Sequence, residues 1–262
     1  MVTLKRSHIV YMAVLLAVLM IFPSMFTEQS LAADYWAVVH TVDPEEGDSY
    51  AEILINNKPV ITLYSISEKF EYETIANKTA KRLNHLFEDH TQTVAVFPDL
   101  KEGEVVLREE DQVIITVDEK LAAYKGKTTS ELALKWLDNL EKILARDLVG
   151  ERIPTKSGIG QERRGIASWY GGVFHGRVTA SGEVYDKYEL TAAHRRLPFG
   201  TVLMVTDTES DKSVLVRVND RGPFHSQRFL DLSKKAALDI GMISSGTANV
   251  VTRVISMPAN DE

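Results

Sequence analysis

The chain has 262 residues, no cysteine, and 30 Lys and Arg against 37 Asp and Glu, for a formal net charge of −7 at pH 7. This length fits one large or two small domains. The missing cysteine excludes disulfides, thiolate catalysis, thiolate metal sites and a lipid-modified N-terminal cysteine, and an acidic chain without a basic stripe argues against nucleic acid as a partner.

Residues 1–33 read as an export signal. Lys5 and Arg6 precede an apolar run of 14 residues from Ile9 to Phe22; Pro23 breaks it, and Ser30-Leu31-Ala32-Ala33 offers small residues for cleavage. A retained anchor is the alternative, but a spanning helix needs roughly 20 residues. The expectation is cleavage near Ala32/Ala33 and a soluble mature chain in the periplasm or cell-wall space.

Residues 34–150 form an acidic block, with 13 Lys and Arg against 23 Asp and Glu. Ala51–Leu54 and Val60–Tyr64 read as strands about an Asn56-Asn57 turn. Glu68–Phe87 reads as a helix with Ile75, Thr79, Leu83 and Leu86 near one face. Val113–Val117 is a β-branched strand. Thr128 and Glu131 fit a capping box for a helix of about 18 residues, whose inward stripe is Leu132, Trp136, Leu137, Leu140, Ile143 and Leu144. The block reads as an α+β domain of unknown role, and its exposed acids as a solvated surface or a docking site for a cell-wall or division protein.

Residues 151–162, rich in Gly, Pro and polar side chains, read as a linker. Beyond it, over 163–257, the pattern changes. Thr201–Thr206, Ser213–Val218 and Val250–Ile255 read as short strands, with a polar turn over 207–212. One helix is evident: Ser233 caps it, Lys234–Ile240 fills it and Gly241 ends it. Short strands with a single small helix suggest a closed barrel.

This second block carries a dense polar cluster on turns and strand ends, a common setting for ligand chemistry. Its segments are Ala167-Ser168-Trp169-Tyr170-Gly171, Phe174-His175-Gly176-Arg177, Thr179-Ala180-Ser181-Gly182-Glu183 and Thr191-Ala192-Ala193-His194. They continue with Leu197-Pro198-Phe199-Gly200-Thr201, Val216-Arg217-Val218-Asn219-Asp220-Arg221-Gly222-Pro223-Phe224 and Asp231-Leu232-Ser233. In that order they resemble the rare lipoprotein A family of bacterial envelope proteins. The resemblance implies an all-β six-stranded double-psi β-barrel with one short helix. It also implies a groove for peptidoglycan glycan strands, and lytic transglycosylase chemistry between N-acetylmuramic acid and N-acetylglucosamine.

That chemistry needs an acid and a base. Asp220 is the first candidate; as an alternative, Asn-Asp-Arg-Gly is merely a turn. The resemblance places Glu183, His194 and Asp220 together on the groove floor. Asp231 is a rival, since related expansin-type barrels carry an aspartate before Leu-Ser; alternatively it supports the helix that follows. Trp169 and Tyr170 are candidate sugar platforms or barrel packing, and Asn219 and Arg221 candidates for acetamido or lactyl groups. His175 and His225 lack companion ligands at metal spacing; no metal or cofactor is expected. The expected function is endolytic cleavage of glycan strands to 1,6-anhydro ends. A non-catalytic, expansin-like glycan-binding barrel or a structural septum protein are the alternatives.

Overall fold

The computed structural model describes residues 35–67, 71–88, 96–144, 160–224 and 227–258. The expected export signal and all but the last three residues of the expected linker lie outside these. The described residues from Trp36 onward form one compact unit.

The first block holds two antiparallel sheets of three strands each. β1 (Ala37–Val42), β2 (Tyr50–Ile55) and β3 (Lys58–Tyr64) lie in chain order. Asn56 and Asn57 both take positive φ, 50° and 62°, which asparagine tolerates and which suits the twist of a tight hairpin. β4 (Val96–Lys101), β5 (Glu104–Glu109) and β6 (Gln112–Thr116) make the second sheet. The helix expected over 68–87 is α1 (Tyr72–Glu88), which packs on the first sheet through Ala76, Leu83 and Leu86; residues 68–70 lie outside the described set.

A short α2 (Glu119–Tyr124) precedes α3 (Thr129–Ile143). The capping box at the start of α3 is formed. Thr128 Oγ1 accepts the Glu131 N–H at 3.1 Å, and the Glu131 carboxylate accepts the Thr128 N–H at 3.0 Å. Together these satisfy two donors that a helix start leaves orphaned. Leu132, Trp136 and Leu140 of the expected stripe are buried, and α3 also packs against the second block.

That second block is a closed six-stranded barrel. β7 (Glu162–Trp169), β8 (Thr191–His194), β9 (Val202–Asp207), β10 (Ser213–Asp220), β11 (Arg228–Leu232) and β12 (Thr247–Ser256) close in the order β10-β8-β11-β7-β12-β9. The pairs β10/β8 and β11/β7 are parallel; the other four are antiparallel. Ala167, Ala192, Val205, Val218, Leu230 and Leu232 are wholly buried and fill the interior, so the barrel is a packed core and not a channel. The expected helix is α4 (Lys234–Asp239), whose Ala236 N–H is taken by Ser233 Oγ at 3.2 Å. β8 is only four residues long, so among the described residues the wall beside the first half of β10 has no strand partner on that side.

Candidate active site

Strand register builds the site. Side chains alternate between the two faces of a strand, and Val218, Ala192, Leu230 and Ala167 point into the core. Asp220 pairs with Ala193 on β8, Ala193 with Asp231 on β11, and Asp231 with Ser168 on β7. These four therefore make a row on the outer wall. A bulge at Asn219 turns Asp220 onto that row. Asp220 and Asp231 stand one strand either side of Ala193, so their Cα atoms are roughly 10 Å apart, two strand spacings.

Asp220 is held by its backbone surroundings. Its Oδ1 accepts the N–H of Ala180 at 2.9 Å and of Arg221 at 2.8 Å. Ala180 lies in a small hairpin over residues 177–185, joined by the Val178–Val184 bridge and by the Thr179 N–H to Glu183 carbonyl bond at 2.7 Å. Asp231 sits in a different environment. Its Oδ1 accepts from the Ser168 hydroxyl, which itself accepts from Arg228 Nη1 at 2.6 Å; the Arg228 guanidinium is 3.8 Å from the carboxylate.

Glu183 is tied to its neighbours on both oxygens. Arg217 donates to Oε1 at 2.6 Å and to Oε2 at 2.9 Å, and Asn219 Nδ2 donates to Oε2 at 3.0 Å. The Arg217 fork holds the Glu183 carboxyl below its ordinary range, with burial opposing and Asn219 assisting. Asn219 is 1 % exposed, and its Oδ1 has no hydrogen-bond partner among the described residues.

His194 lies apart from the outer row. It pairs with the inward Leu230, so alternation turns it from the Ala193 face. Its Nδ1 accepts the N–H groups of Arg196 at 3.2 Å and Leu197 at 2.9 Å, which places the ring proton on Nε2. Burial, then the charges of Arg163, Arg221 and Arg195, push its pKa down to about 4. The ring meets Phe229 edge-on. Arg221 is engaged by the same loop: Nη1 donates to the carbonyls of Leu197 at 2.9 Å and His194 at 3.2 Å, and the guanidinium lies 3.6 Å over the Phe199 ring.

Of the two expected platforms, Trp169 is half-buried at the end of β7, against Gly171. Tyr170 packs its ring on Tyr185 at 4.4 Å and on Phe174 at 6.3 Å. Its hydroxyl and that of Thr191 are buried neighbours, not aligned as a hydrogen bond. Burial raises the Tyr170 pKa well above its ordinary value, and the charges of Asp220 and Asp231 add to the rise, so the phenol keeps its proton beside both aspartates.

The exposed aromatic faces lie elsewhere. Phe174, Tyr188 and Phe224 are 45 %, 66 % and 72 % exposed. Arg177 sits over the Phe174 ring and Lys187 over that of Tyr188. Phe174 and Arg217 belonged to motif segments and Phe224 ended one; what no local signal gave is the pairing of Arg217 with Glu183. Among the described residues no group of three or more His, Cys, Asp or Glu stands together as a metal set. A separate cleft of about 540 Å³, lined by Asp207, Lys212, Met242 and Asn249 among others, includes none of the expected site residues.

Six strands closed with two parallel pairs, and a polar row laid on the outer wall, define a double-psi β-barrel. The family model described as "Lytic transglycolase" matches residues 162–252, and one described as a domain of unknown function matches residues 52–147. The chain is 37 % identical over 227 residues to a probable endolytic peptidoglycan transglycosylase RlpA of Synechocystis, covering 77 % of this chain and 70 % of that one. It is 55 % identical over 93 residues to the endolytic peptidoglycan transglycosylase RlpA of Vibrio cholerae, covering 36 % and 35 % of the two. A solved structure of an expansin of Clavibacter michiganensis is similar at 22 % identity and a TM-score of 0.32, over 38 % of this chain and 53 % of that one. The chain belongs to the RlpA family of endolytic peptidoglycan transglycosylases. It spans 70 % of the Synechocystis relative but only about a third of the Vibrio one.

Proposed function

We propose that this chain is an exported endolytic peptidoglycan transglycosylase that cuts glycan strands between N-acetylmuramic acid and N-acetylglucosamine, leaving 1,6-anhydro ends. The observation that carries the reading is the outer-wall row of Asp220, Ala193 and Asp231 in a chain of this family. A carboxyl group there protonates the leaving glycosidic oxygen as its bond to C1 breaks. The muramic acid 6-hydroxyl oxygen then bonds to C1 and gives its proton to a carboxylate, so no water is consumed and the catalyst is restored.

Asp220 is the proton carrier in this reading. Two backbone N–H groups fix Oδ1 and leave Oδ2 for proton transfer. Asp231, held by Ser168 near Arg228, supplies negative charge for the oxocarbenium-like transition state. Glu183 is a positioning residue: a carboxylate filled by Arg217 and Asn219 has no free proton to give, but it holds the strand that ends in Asp220. His194 is neutral, and its Nδ1 fixes the loop that follows by accepting the N–H groups of Arg196 and Leu197. Tyr170 keeps a phenolic proton beside the aspartates, and the sugar faces rest on Phe174, Tyr188 and Phe224. Arg221 ties the turn after β10 to the 194–197 loop.

Residues 1–33 direct export, and the chain works in the periplasm or cell-wall space. Among the described residues no helix is long and apolar enough to cross a membrane. The acidic solvent face of residues 34–150 is where a cell-wall or division protein would dock.

The test is digestion of isolated peptidoglycan, intact and stripped of stem peptides, with products read by mass spectrometry. Anhydro-ended fragments that disappear with Asp220→Asn support the enzyme. Wall binding without products, by a folded protein, makes this a glycan-binding barrel.

A further inference from the structure

β10 carries Arg217, Asn219 and Asp220, and its barrel ladder is incomplete. On the edge facing β8, alternate N–H groups of β10 point outward. The Arg217 N–H is taken by the Leu190 carbonyl at 2.9 Å. Two residues earlier, β8 and the chain leading into it have run out, and among the described residues the Leu215 N–H has no strand to meet. Its partner is Ser130 Oγ at 3.0 Å, wholly buried in the first turn of α3. Leu215 itself shares the outer face with Arg217, yet it is wholly buried, because α3 packs on β10 there.

Two further contacts join the blocks. Ser256 of β12 donates to Oδ1 of the buried Asp99 in β4 at 2.9 Å, and Asp99 is held in turn by Arg108 Nε at 2.5 Å and the Leu100 N–H at 2.8 Å. Lys235 of α4 bridges Glu119 of α2 at 3.1 Å and Asp239 of its own helix at 3.1 Å. Secondary elements α2, α3 and β4 of the first block thus reach α4, β10 and β12 of the barrel.

The geometry points to a role for residues 36–144 as a brace: they complete the wall of the barrel where β8 is too short, and Ser130 is a positioning residue for the strand that presents Asp220. The path is continuous: Ser130 fixes Leu215, Leu215 sets the course of β10, and two residues on Arg217 engages Glu183 with Asn219 beside it. A buried backbone N–H left without its acceptor destabilises the native strand against opened states. The loss would be felt first in β10, before the barrel as a whole. The catalytic part of this inference rests on the transglycosylase reading; the structural part does not.

The experiment compares the wild-type chain with Ser130→Ala, Ser256→Ala and a control at the other end of α3, Lys142→Ala, whose pair with Asp138 is exposed. Amide hydrogen exchange is followed by mass spectrometry, and kcat and KM are measured on peptide-stripped glycan strands. Ser130→Ala is expected to speed exchange over 213–220 about tenfold, and to lower kcat with KM unchanged. Ser256→Ala is expected to speed exchange over 247–256 and to spare β10; the control should match wild type. Unchanged exchange in β10 of Ser130→Ala, or an equal rise throughout the chain, would overturn the brace. A wild-type chain that yields no product sinks the transglycosylase reading, while the exchange pattern still decides whether the brace exists.

Discussion

Asp220 and Asp231 face the same side of the barrel wall with only Ala193 between them. The two carboxylates are nevertheless held differently. Asp220 accepts from two backbone amides, whereas Asp231 accepts from a hydroxyl that an arginine also engages. Two acids with unlike surroundings can take unlike parts in one reaction.

Replacing Asp220 by Asn should therefore lower kcat by about 10²–10⁴-fold, the worth of a positioned proton carrier, with little change in melting temperature. Asp231→Asn should cost less in rate and leave the products anhydro-ended. Product formation by the two variants, measured side by side, checks the order. An Asp220→Asn enzyme at full rate would move the proton transfer to Asp231.

Glu183→Gln removes the charge that both Arg217 nitrogens grasp. Because the pair is partly exposed, the loss of stability should be small, about 1 kcal/mol or less. The rate should suffer more, up to about a hundredfold, as expected for a shift of about 1 Å at the reacting group. Steady-state kinetics and thermal melting on the same preparation separate the two; a collapse of the fold with the rate would show that Glu183 is simply structural.

The His194 ring adds a dependence on pH. In the unfolded chain it titrates near 6.5, and in the fold it is held down to about 4. Between these values protons bind the unfolded chain and not the native one. Its contribution to stability is therefore fully present above about pH 6.5 and is lost as the pH falls toward about 4. Melting temperatures across that window should fall less steeply in His194→Gln than in wild type, though that variant should also start lower.

Much of this architecture was legible locally. Asn56-Asn57, the Thr128–Glu131 box and the Ser233 cap each announce their structure within a few residues, and the barrel motifs pointed to the polar row. What could not be read are relationships made by pairing. β4 carries Pro98 within the strand and has a Gly103 turn beside it, so it looks like a loop until β5 closes on it. β8, Thr-Ala-Ala-His, has weak strand propensity and exists because β10 and β11 flank it. Arg217 and Glu183 lie 34 residues apart, and Leu215 and Ser130 are separated by 85; nothing local marks either pair. The short β8 also explains why the acidic block looked separable: the contact it makes is with an edge that exists only after the barrel has closed.

Gly165 offers a test of packing behind the site. A Cβ there would come within 2.7 Å of the Phe229 ring, and Phe229 lies between Arg163 and His194. Gly165→Ala should displace that ring and cost about 1–3 kcal/mol, as overpacking does. Denaturant unfolding measures it directly, and a double substitution with Phe229→Leu should recover part of the loss.

The exposed rings should govern binding more than chemistry. Phe174→Ala and Tyr188→Ala should each raise KM several-fold, corresponding to about 1 kcal/mol of aromatic contact, with kcat unchanged. Equal falls in kcat and kcat/KM would assign those rings to the transition state instead.

The barrel interior is solid with Ala167, Val218, Leu230 and Leu232, so a polymer has nowhere to thread. On the proposed reading it arrives broadside, against the wall that bears Asp220 and Asp231. An encounter of that kind does not need a chain terminus: any stretch of a long strand can settle on the wall. Early in a digest the average strand length should then drop sharply while almost no small fragments are released, and strands whose ends are blocked should be cut as readily as those with free ends.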